Sequence, residues 1–295
     1  MAEGVCDITC TGSNASMLSG ELATHLSGRY IEFPIHSLGY TEFLRFFELE
    51  DSNQSLYKYL TIGGMPYLKV IGTEEVHAFE YLRNVYSTIL LKDVVARENI
   101  RNVSFLNDLV EYLADNLGNM FSASNIAKYL KSQRSTVSTQ TVINYITPLL
   151  NAFFIHKVNR MDINGLKIFE IGEKYYFEDL GLRNVIRGYN LGKEIQKLLE
   201  NAVYLHLLRC GYDVKVGQQG NYEIDFIGSK NGNRIYIQVA YQLMDEKTRE
   251  REFGNLMNIT DHYPKYVVSM DEFNAGTNEK GIQQIHIREF LMTAL

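Results

Sequence analysis

The segment EIDFIGSKNGNRIYIQVAYQL, residues 223–243, contains two runs rich in β-branched and aromatic residues around a Lys-Asn-Gly-Asn turn. An Asn-Gly pair between such runs is typical of a two-residue β-hairpin. The first run carries Asp225, with Glu223 two residues earlier on the same strand face. The second run carries Gln238 and Ala240, again two residues apart. The segment predicts a hairpin in which polar side chains share a strand face.

Around this hairpin, the last hundred residues predict a mixed α/β unit. Short apolar runs alternate with stretches of helical periodicity. The expected elements are a helix at 194–210, strands at 212–217, 222–228 and 234–242, a helix at 246–258, a strand at 265–270, and a last strand near 282–287 before a short terminal helix.

Residues 103–160 predict three helices followed by a β-hairpin, and Ser138 suits the N-cap of the third helix. This is the element order of a winged helix-turn-helix. Between Ser122 and Arg160 there is no acidic residue, although the whole chain has a net charge of −6. The basic residues in this stretch are Lys128, Lys131, Arg134, Lys157 and Arg160.

Two interpretations of the helical segment remain open. In one, Gln140, Thr141 and Asn144 lie early on a recognition helix, and Lys128, Lys131 and Arg134 contact phosphates. In the other, the three helices only pack against neighbouring domains, because a helix-turn-helix pattern specifies a shape and not a partner.

The first fifty residues predict part of a further α/β unit, with strands at 5–12 and 29–35, each followed by a helix. Such strands need parallel neighbours to bury both faces, and the sequence has none upstream. We therefore expect the N-terminal part of a larger domain to be missing. Residues 54–117 are expected to be mostly helical, with a turn at Gly63-Gly64-Met65-Pro66.

Composition is typical of a globular protein, with 295 residues and 45% apolar content. Apolar runs are far shorter than the roughly 18 residues of a membrane span, and residues 1–10 have no signal-peptide pattern. A cytoplasmic location with no membrane partner is the expectation. The phosphate-binding pattern G-x-x-x-x-G-K-[ST] is absent from the sequence, and Gly188–Glu194 resembles it only superficially.

Several segments together resemble one family, the bacterial and archaeal AAA-type ATPases whose C-terminal half carries a winged helix and a PD-(D/E)xK nuclease-like domain. These segments are 30–43 (YIEFPIHSLGYTEF), 63–66 (GGMP), 81–97 (YLRNVYSTILLKDVVAR), 174–184 (KYYFEDLGLRN) and 198–217 (LLENAVYLHLLRCGYDVKVG). The resemblance covers almost the whole chain, except that the family's phosphate loop and magnesium-binding acidic strand are absent. It implies that ATP and Mg²⁺ serve the intact family, whereas this chain alone binds no cofactor.

The same resemblance implies roles for particular residues. Asn14 corresponds to the polar residue that orients water near the γ-phosphate, and Arg29 to an arginine that acts on a neighbour's nucleotide. The alternatives are a helix N-cap or turn residue for Asn14 and a surface charge for Arg29.

For the nuclease-like unit, the family design places a helix acid, a strand aspartate and a second-strand acid around divalent metal, followed two residues later by a lysine. Glu200, Asp225, Gln238 and Ala240 take these positions in turn. Asp225 would be a weak metal ligand, because Gln238 offers a neutral oxygen and Ala240 offers no charge. Lys215 is the candidate for a lysine that has moved. The alternative is that Asp225 and Glu200 are structural surface acids with no role in metal binding.

The resulting prediction is an α/β plus helical protein with four parts: a remnant of an AAA-type α/β core at 1–50, a helical lid at 51–102, a winged helix at 103–190 and a nuclease-like domain at 191–295. We expect neither ATPase nor nuclease activity from the chain on its own. The alternatives are a winged-helix DNA-binding protein or regulator and a weak metal-dependent nuclease. Protein partners or self-association would require an exposed apolar surface.

Overall fold

A computed structural model describes residues 9–15, 29–98, 100–120, 122–132, 138–165, 168–188, 190–220, 222–243, 246–272, 276–278 and 280–295. It is a mixed α/β structure with a substantial helical part, which confirms the expected fold class. None of the helices in these ranges is long and apolar enough to cross a membrane.

Residues 40–151 are mostly helical where described, which agrees with the helices expected in 54–117 and 103–160. The helices are α1 (Tyr40–Phe47), α2 (Asn53–Ile62), α3 (Leu68–Ile71), α4 (Glu75–Thr88), a π-helical continuation (Ile89–Ala96), α5 (Val103–Asp115), α6 (Ala123–Ser132) and α7 (Thr139–Asn151). Ser138 caps α7, because its hydroxyl accepts from the Thr141 N–H at 3.1 Å.

The second half alternates strands and helices close to the predicted positions. Its elements are β1 (Ile155–Asp162), β2 (Ile168–Phe177), α8 (Leu180–Arg187), α9 (Leu191–Arg209), β3 (Asp213–Gln219), β4 (Tyr222–Lys230), β5 (Asn233–Ala240), α10 (Glu246–Met257), β6 (Lys265–Ser269), β7 (Gly276–Thr277), β8 (Ile282–His286) and α11 (Ile287–Met292).

The hairpin of β4 and β5 forms as the opening segment predicts. Lys230 pairs with Asn233 across a turn whose central residues, Asn231 and Gly232, have φ of 51° and 79°. This left-handed backbone is what a two-residue hairpin requires, and Asn and Gly tolerate it better than other residues.

The described strands form one sheet in the order β2-β1-β3-β4-β5-β6-β8-β7. The β1–β2 hairpin joins this sheet because β1 pairs in parallel with β3, Arg160 opposite Val216 and Asp162 opposite Gln218. The predicted boundary between 190 and 191 therefore does not divide the sheet. The hairpin expected for the winged helix is part of the same sheet as β3 to β8.

Two buried apolar clusters hold these elements together. The larger one joins the helical half to the sheet, and includes Tyr40, Leu109, Tyr176, Phe226 and Phe290. The smaller one lies between the sheet and α10, around Tyr236, Phe253 and Val267.

The predicted strand at 29–35 is wrong. Residues 29–39 contain no strand, because a strand needs a hydrogen-bonded neighbour and no described strand runs beside them. Ile31, Phe33 and Ile35 are exposed instead, Ile35 to 90%. Residues 9–12 of the strand predicted at 5–12 also have no regular structure. The remainder of that strand and the helix predicted after it lie outside the described residues.

Candidate functional site

A buried lysine lies at the centre of the predicted acidic site. The Lys174 ammonium on β2 lies 3.0 Å from Glu200 Oε1 on α9, 2.8 Å from Glu223 Oε1 and 3.6 Å from Asp225 Oδ1, both on β4. The Lys174 side chain is only 2% exposed. The structure thus brings Glu200 and Asp225 together, as predicted, but around a cation that the chain itself supplies. We call these four residues the Lys174 cluster.

A shift in strand register accompanies Asp225. Lys215 on β3 pairs with Ile227, but Gly217 pairs with Ile224, so β4 has one extra residue between these pairs. Such a β-bulge re-aims side chains locally. The Asp225 carboxylate accepts from the Val239 N–H at 2.8 Å, and its own N–H donates to Gln238 Oε1 at 3.4 Å.

Gln238 therefore lies beside Asp225, as the resemblance implies, and its side-chain oxygen accepts from the Asp225 backbone. Ala240 belongs to the small apolar cluster beneath α10 and is buried among Tyr236, Phe253 and Leu256. The position where the family places its lysine is thus part of the apolar core.

Burial and charge set the protonation of the Lys174 cluster. Burial by itself lowers the pKa of Lys174, but the carboxylates of Glu200, Asp225 and Glu223 outweigh it and raise this pKa above its ordinary value. Burial, with the negative charge of Glu200, raises the pKa of Asp225 well above that of an exposed aspartate. Asp225 is therefore a poorer anionic ligand than its residue type suggests.

Neighbouring residues cover the Glu200 side of the Lys174 cluster, whereas the Glu223 side chain is 37% exposed. The Tyr176 hydroxyl donates to Glu200 Oε1, and its ring stacks on Tyr204 at 4.6 Å between centroids. A Cβ on Gly118 would lie 3.0 Å from the Glu200 carboxylate oxygens, so the segment after α5 closes over that side chain.

A divalent nuclease metal does not fit this arrangement. Mg²⁺ needs near-octahedral oxygen ligands at about 2.0–2.1 Å and usually keeps several waters. Here the space between the carboxylates already holds an ammonium group, at 3.0 Å from Glu200 and 2.8 Å from Glu223. An ion could enter only by displacing Lys174 from its contacts with Glu200, Glu223 and Asp225, and Gln238 adds no charge to attract it.

Lys215 does not replace the lysine that is absent at position 240, although the sequence suggested it as the candidate. Its ammonium pairs with Asp213, two residues away on β3. The residue that contacts the acids is Lys174, which the sequence analysis missed as a site residue. The available signal was its place in the motif KYYFEDLGLRN, but only the pairing of β1 with β3 brings β2 near the acids.

The predicted nucleotide-sensing residues occupy separate environments. Asn14 is buried. The backbone N–H of Ala15, the following residue, donates to the carbonyl of Asn151 at the end of α7, with a distance of 2.8 Å. Arg29 is exposed at the start of the extended segment. Asn14 is therefore not at the end of a described strand, where its predicted role would place it.

The first turn of α7 is exposed and polar. Gln140 donates to Asn144 Oδ1 at 2.9 Å, and both side chains are exposed, as is Lys128 on α6. The Thr141 hydroxyl contacts the Ser138 hydroxyl at 2.9 Å, so it is partly engaged in the helix cap. Lys157 is 3.6 Å from Glu173. The Lys131 side chain and Arg134 lie outside the described residues.

The family-like segments meet at one junction. Gly64 donates its N–H to Asp179 Oδ2 at 2.7 Å and accepts the Leu38 N–H at 2.9 Å. A Cβ on Gly64 would lie 2.3 Å from the Leu38 carbonyl oxygen, so only glycine fits there. Burial raises the pKa of Asp179 to about 6, although the N–H groups of Gly64 and Leu182 oppose this. These residues of the resemblance motifs therefore have a role in packing at this junction.

The chain resembles known proteins over most of its length. Residues 53–192 match the family model described as Domain of unknown function (DUF8612). An uncharacterized protein of Haemophilus influenzae is 36% identical over 290 residues, which is 97% of this chain and 71% of that protein.

The uncharacterized protein MJ1544 of Methanocaldococcus jannaschii is 30% identical over 261 residues, 83% of this chain and 57% of that protein. No solved structure matches the chain. Because the 36% identity with the Haemophilus influenzae protein extends over 97% of this chain, the chain belongs to the family of that protein.

Proposed function

We propose that this chain corresponds to the C-terminal portion of an AAA-type ATPase-like protein, and that its nuclease-like domain is a binding or structural unit without nuclease activity. The observation that carries the second part is the Lys174 ammonium among Glu200, Glu223 and Asp225. The chain alone should also give no binding heat with Mg-ATP, and micromolar binding would contradict this.

Charge and accessibility distinguish Lys174 from a nuclease metal. A nuclease metal stabilises the attacking and leaving oxygens because it is a concentrated positive charge that substrate oxygens can reach. Lys174 carries a single charge, and its side chain is almost wholly buried by protein atoms. Its contacts with Glu200, Glu223 and Asp225 hold it inside the fold, where it offers little to a phosphodiester.

A cleavage assay tests this proposal. Supercoiled plasmid and single-stranded DNA are incubated with the purified chain in Mg²⁺ or Mn²⁺, beside Asp225→Asn prepared identically. Both proteins should leave both substrates intact. Cleavage by the unaltered chain that is absent from Asp225→Asn would overturn the proposal, whereas equal cleavage by both preparations would point to a contaminating nuclease and leave the proposal standing.

The exposed α7 turn favours DNA binding as a second candidate function. Gln140 and Asn144 are available to base edges, and Lys128 to phosphate. The β1–β2 hairpin is paired into the sheet, so contact would come from α6 and α7 without a free wing.

Salt dependence separates this candidate from non-specific association. Duplex binding measured by fluorescence anisotropy should weaken steeply as salt increases if several phosphates are contacted. Changing Lys128, Lys131 and Arg134 to Glu should abolish binding, and Lys247→Glu, exposed on α10, should not. Equal binding by both variants would remove α6 and α7 as the interface.

We also propose that residues 29–39, the segment before α1, bind a protein partner or a second copy of the chain. Exposed apolar side chains, at Ile31, Phe33 and Ile35, are uncommon unless they mark an interface. Sedimentation at increasing concentration should show association that Phe33→Asp reduces, and a monomer at all concentrations would exclude self-association.

A further inference from the structure

Two histidines and a glutamate converge outside the Lys174 cluster. His36 Nδ1 lies 3.0 Å from Glu178 Oε2, and His156 Nε2 lies 2.6 Å from the same oxygen. One ligand atom from each of the three residues can be chosen so that all lie within 4.8 Å of one another. We call these residues the Glu178 cluster.

Three separate segments supply the Glu178 cluster. His36 precedes α1, His156 is on β1, and Glu178 follows β2. The Ser37 N–H donates to Glu178 Oε1 at 2.8 Å, while Arg209 Nη2 donates to the Ser37 carbonyl at 2.7 Å. These contacts fix the carboxylate and the chain beside His36, as the surrounding bonds of a metal site do.

The donor set suits a borderline divalent ion. Two imidazole nitrogens and one carboxylate oxygen form a set used by zinc sites that keep one position open to solvent. The side chains of His36, His156 and Glu178 are 21%, 17% and 13% exposed, so an ion and a water can reach them. Burial alone raises the pKa of Glu178, but hydrogen bonds with His156 and His36 outweigh it and lower this pKa to about 2.

Only a small rearrangement separates the observed geometry from coordination. Zn–N and Zn–O distances of about 2.0–2.2 Å in a tetrahedral site put two ligand atoms about 3.4 Å apart. The present separations of 2.6 and 3.0 Å between the imidazole nitrogens and Glu178 Oε2 are those of hydrogen bonds, so each nitrogen and this oxygen have to separate by less than about 1 Å for the ion to lie between them.

We propose that His36 Nδ1, His156 Nε2 and a Glu178 carboxylate oxygen bind one Zn²⁺ ion, with water as the fourth ligand. The ion would fasten the extended segment before α1 to the β1–β2 hairpin, because its ligands come from both. It would not compete with the Lys174 cluster, which already contains a cation.

The test uses the chain freed of any affinity tag and dialysed against chelator. Titration with Zn²⁺ should give one site of micromolar or tighter affinity, with an increased melting temperature. His156→Gln and His36→Gln should each weaken binding about 100-fold. His206→Gln is the matched control: its Nε2 lies 3.7 Å from Cys210 Sγ, a competing pair of ligands, and this variant should bind normally.

Co²⁺ substitution provides a readout that needs no variant to fold. Co²⁺ in the unaltered chain should give a spectrum of nitrogen and oxygen ligands without thiolate-to-cobalt charge transfer. Absence of stoichiometric Zn²⁺ binding, unchanged affinity in a correctly folded His156→Gln, or a thiolate charge-transfer band would each overturn the proposal.

Discussion

The Lys174 cluster and the Glu178 cluster both include a residue on β2 or directly after it. They differ in whether the chain itself supplies a cation. The Lys174 cluster has three carboxyl groups and a buried ammonium from the chain. The Glu178 cluster has one carboxylate between two imidazoles and remains partly open to solvent. An acidic cluster is therefore a site for an external cation only where the chain has not already filled it.

Removing the chain's own cation should have the largest effect. Lys174→Met leaves the buried carboxyl groups of Glu200 and Asp225, and the partly exposed one of Glu223, without their partner, so the free energy of unfolding should fall by about 3–5 kcal/mol. Urea denaturation measures it. Lys157→Met on β1 is the control, because its ion pair with Glu173 is 39% exposed on the lysine side and should be worth about 1 kcal/mol or less. Equal losses would mean that Lys174 does not complete its cluster.

The contribution of Glu178 to the free energy of unfolding should depend on pH, whereas that of the exposed ion pairs should not. The pKa of Glu178 is lowered from 4.5 to about 2, so its stabilising contribution is present above pH 4.5 and is lost as pH falls towards 2. In chelator, Glu178→Gln should lower the free energy of unfolding by roughly 2 kcal/mol at pH 7, and by progressively less below pH 4.5.

The control for Glu178 is Glu74→Gln. Glu74 lies 3.9 Å from His77 in an exposed pair, and its replacement should leave stability nearly unchanged at every pH. A constant difference between the unaltered chain and Glu178→Gln across this pH range would show that the carboxylate charge does not matter.

A smaller effect tests how tightly the Lys174 cluster is closed. Tyr176→Phe removes the hydroxyl that donates to Glu200 and should lower the free energy of unfolding by about 1–2 kcal/mol. Tyr222→Phe on β4, where the side chain is half exposed, should have no measurable effect. If both variants behave alike in urea denaturation, the Tyr176 hydroxyl does not contribute to the stability of the Lys174 cluster.

Much of the local structure follows from the sequence because its causes are local. The Asn231–Gly232 turn, the Ser138 cap and the apolar periodicity of α5 and α9 act within a few residues. The resemblance also implied that Glu200 and Asp225 lie close together, and the structure has both beside Lys174.

The remainder depended on pairing between distant segments. Lys174 reaches the acids only because β1 pairs with β3, and nothing in the spacing around Lys174 indicates this. The strand predicted at 29–35 had the right composition but no described neighbour to pair with. The Glu178 cluster went unnoticed because His36 and Glu178 are 142 positions apart in the chain.

Manganese binding followed by electron paramagnetic resonance tests the central claim most directly. Mn²⁺ is titrated into the unaltered chain, Asp225→Asn and Glu178→Gln, and the signal of free Mn²⁺ is measured. Because Lys174 already fills the acidic site, Asp225→Asn should leave any binding unchanged. A bound ion in the unaltered chain that is lost in Asp225→Asn and retained in Glu178→Gln would contradict this account.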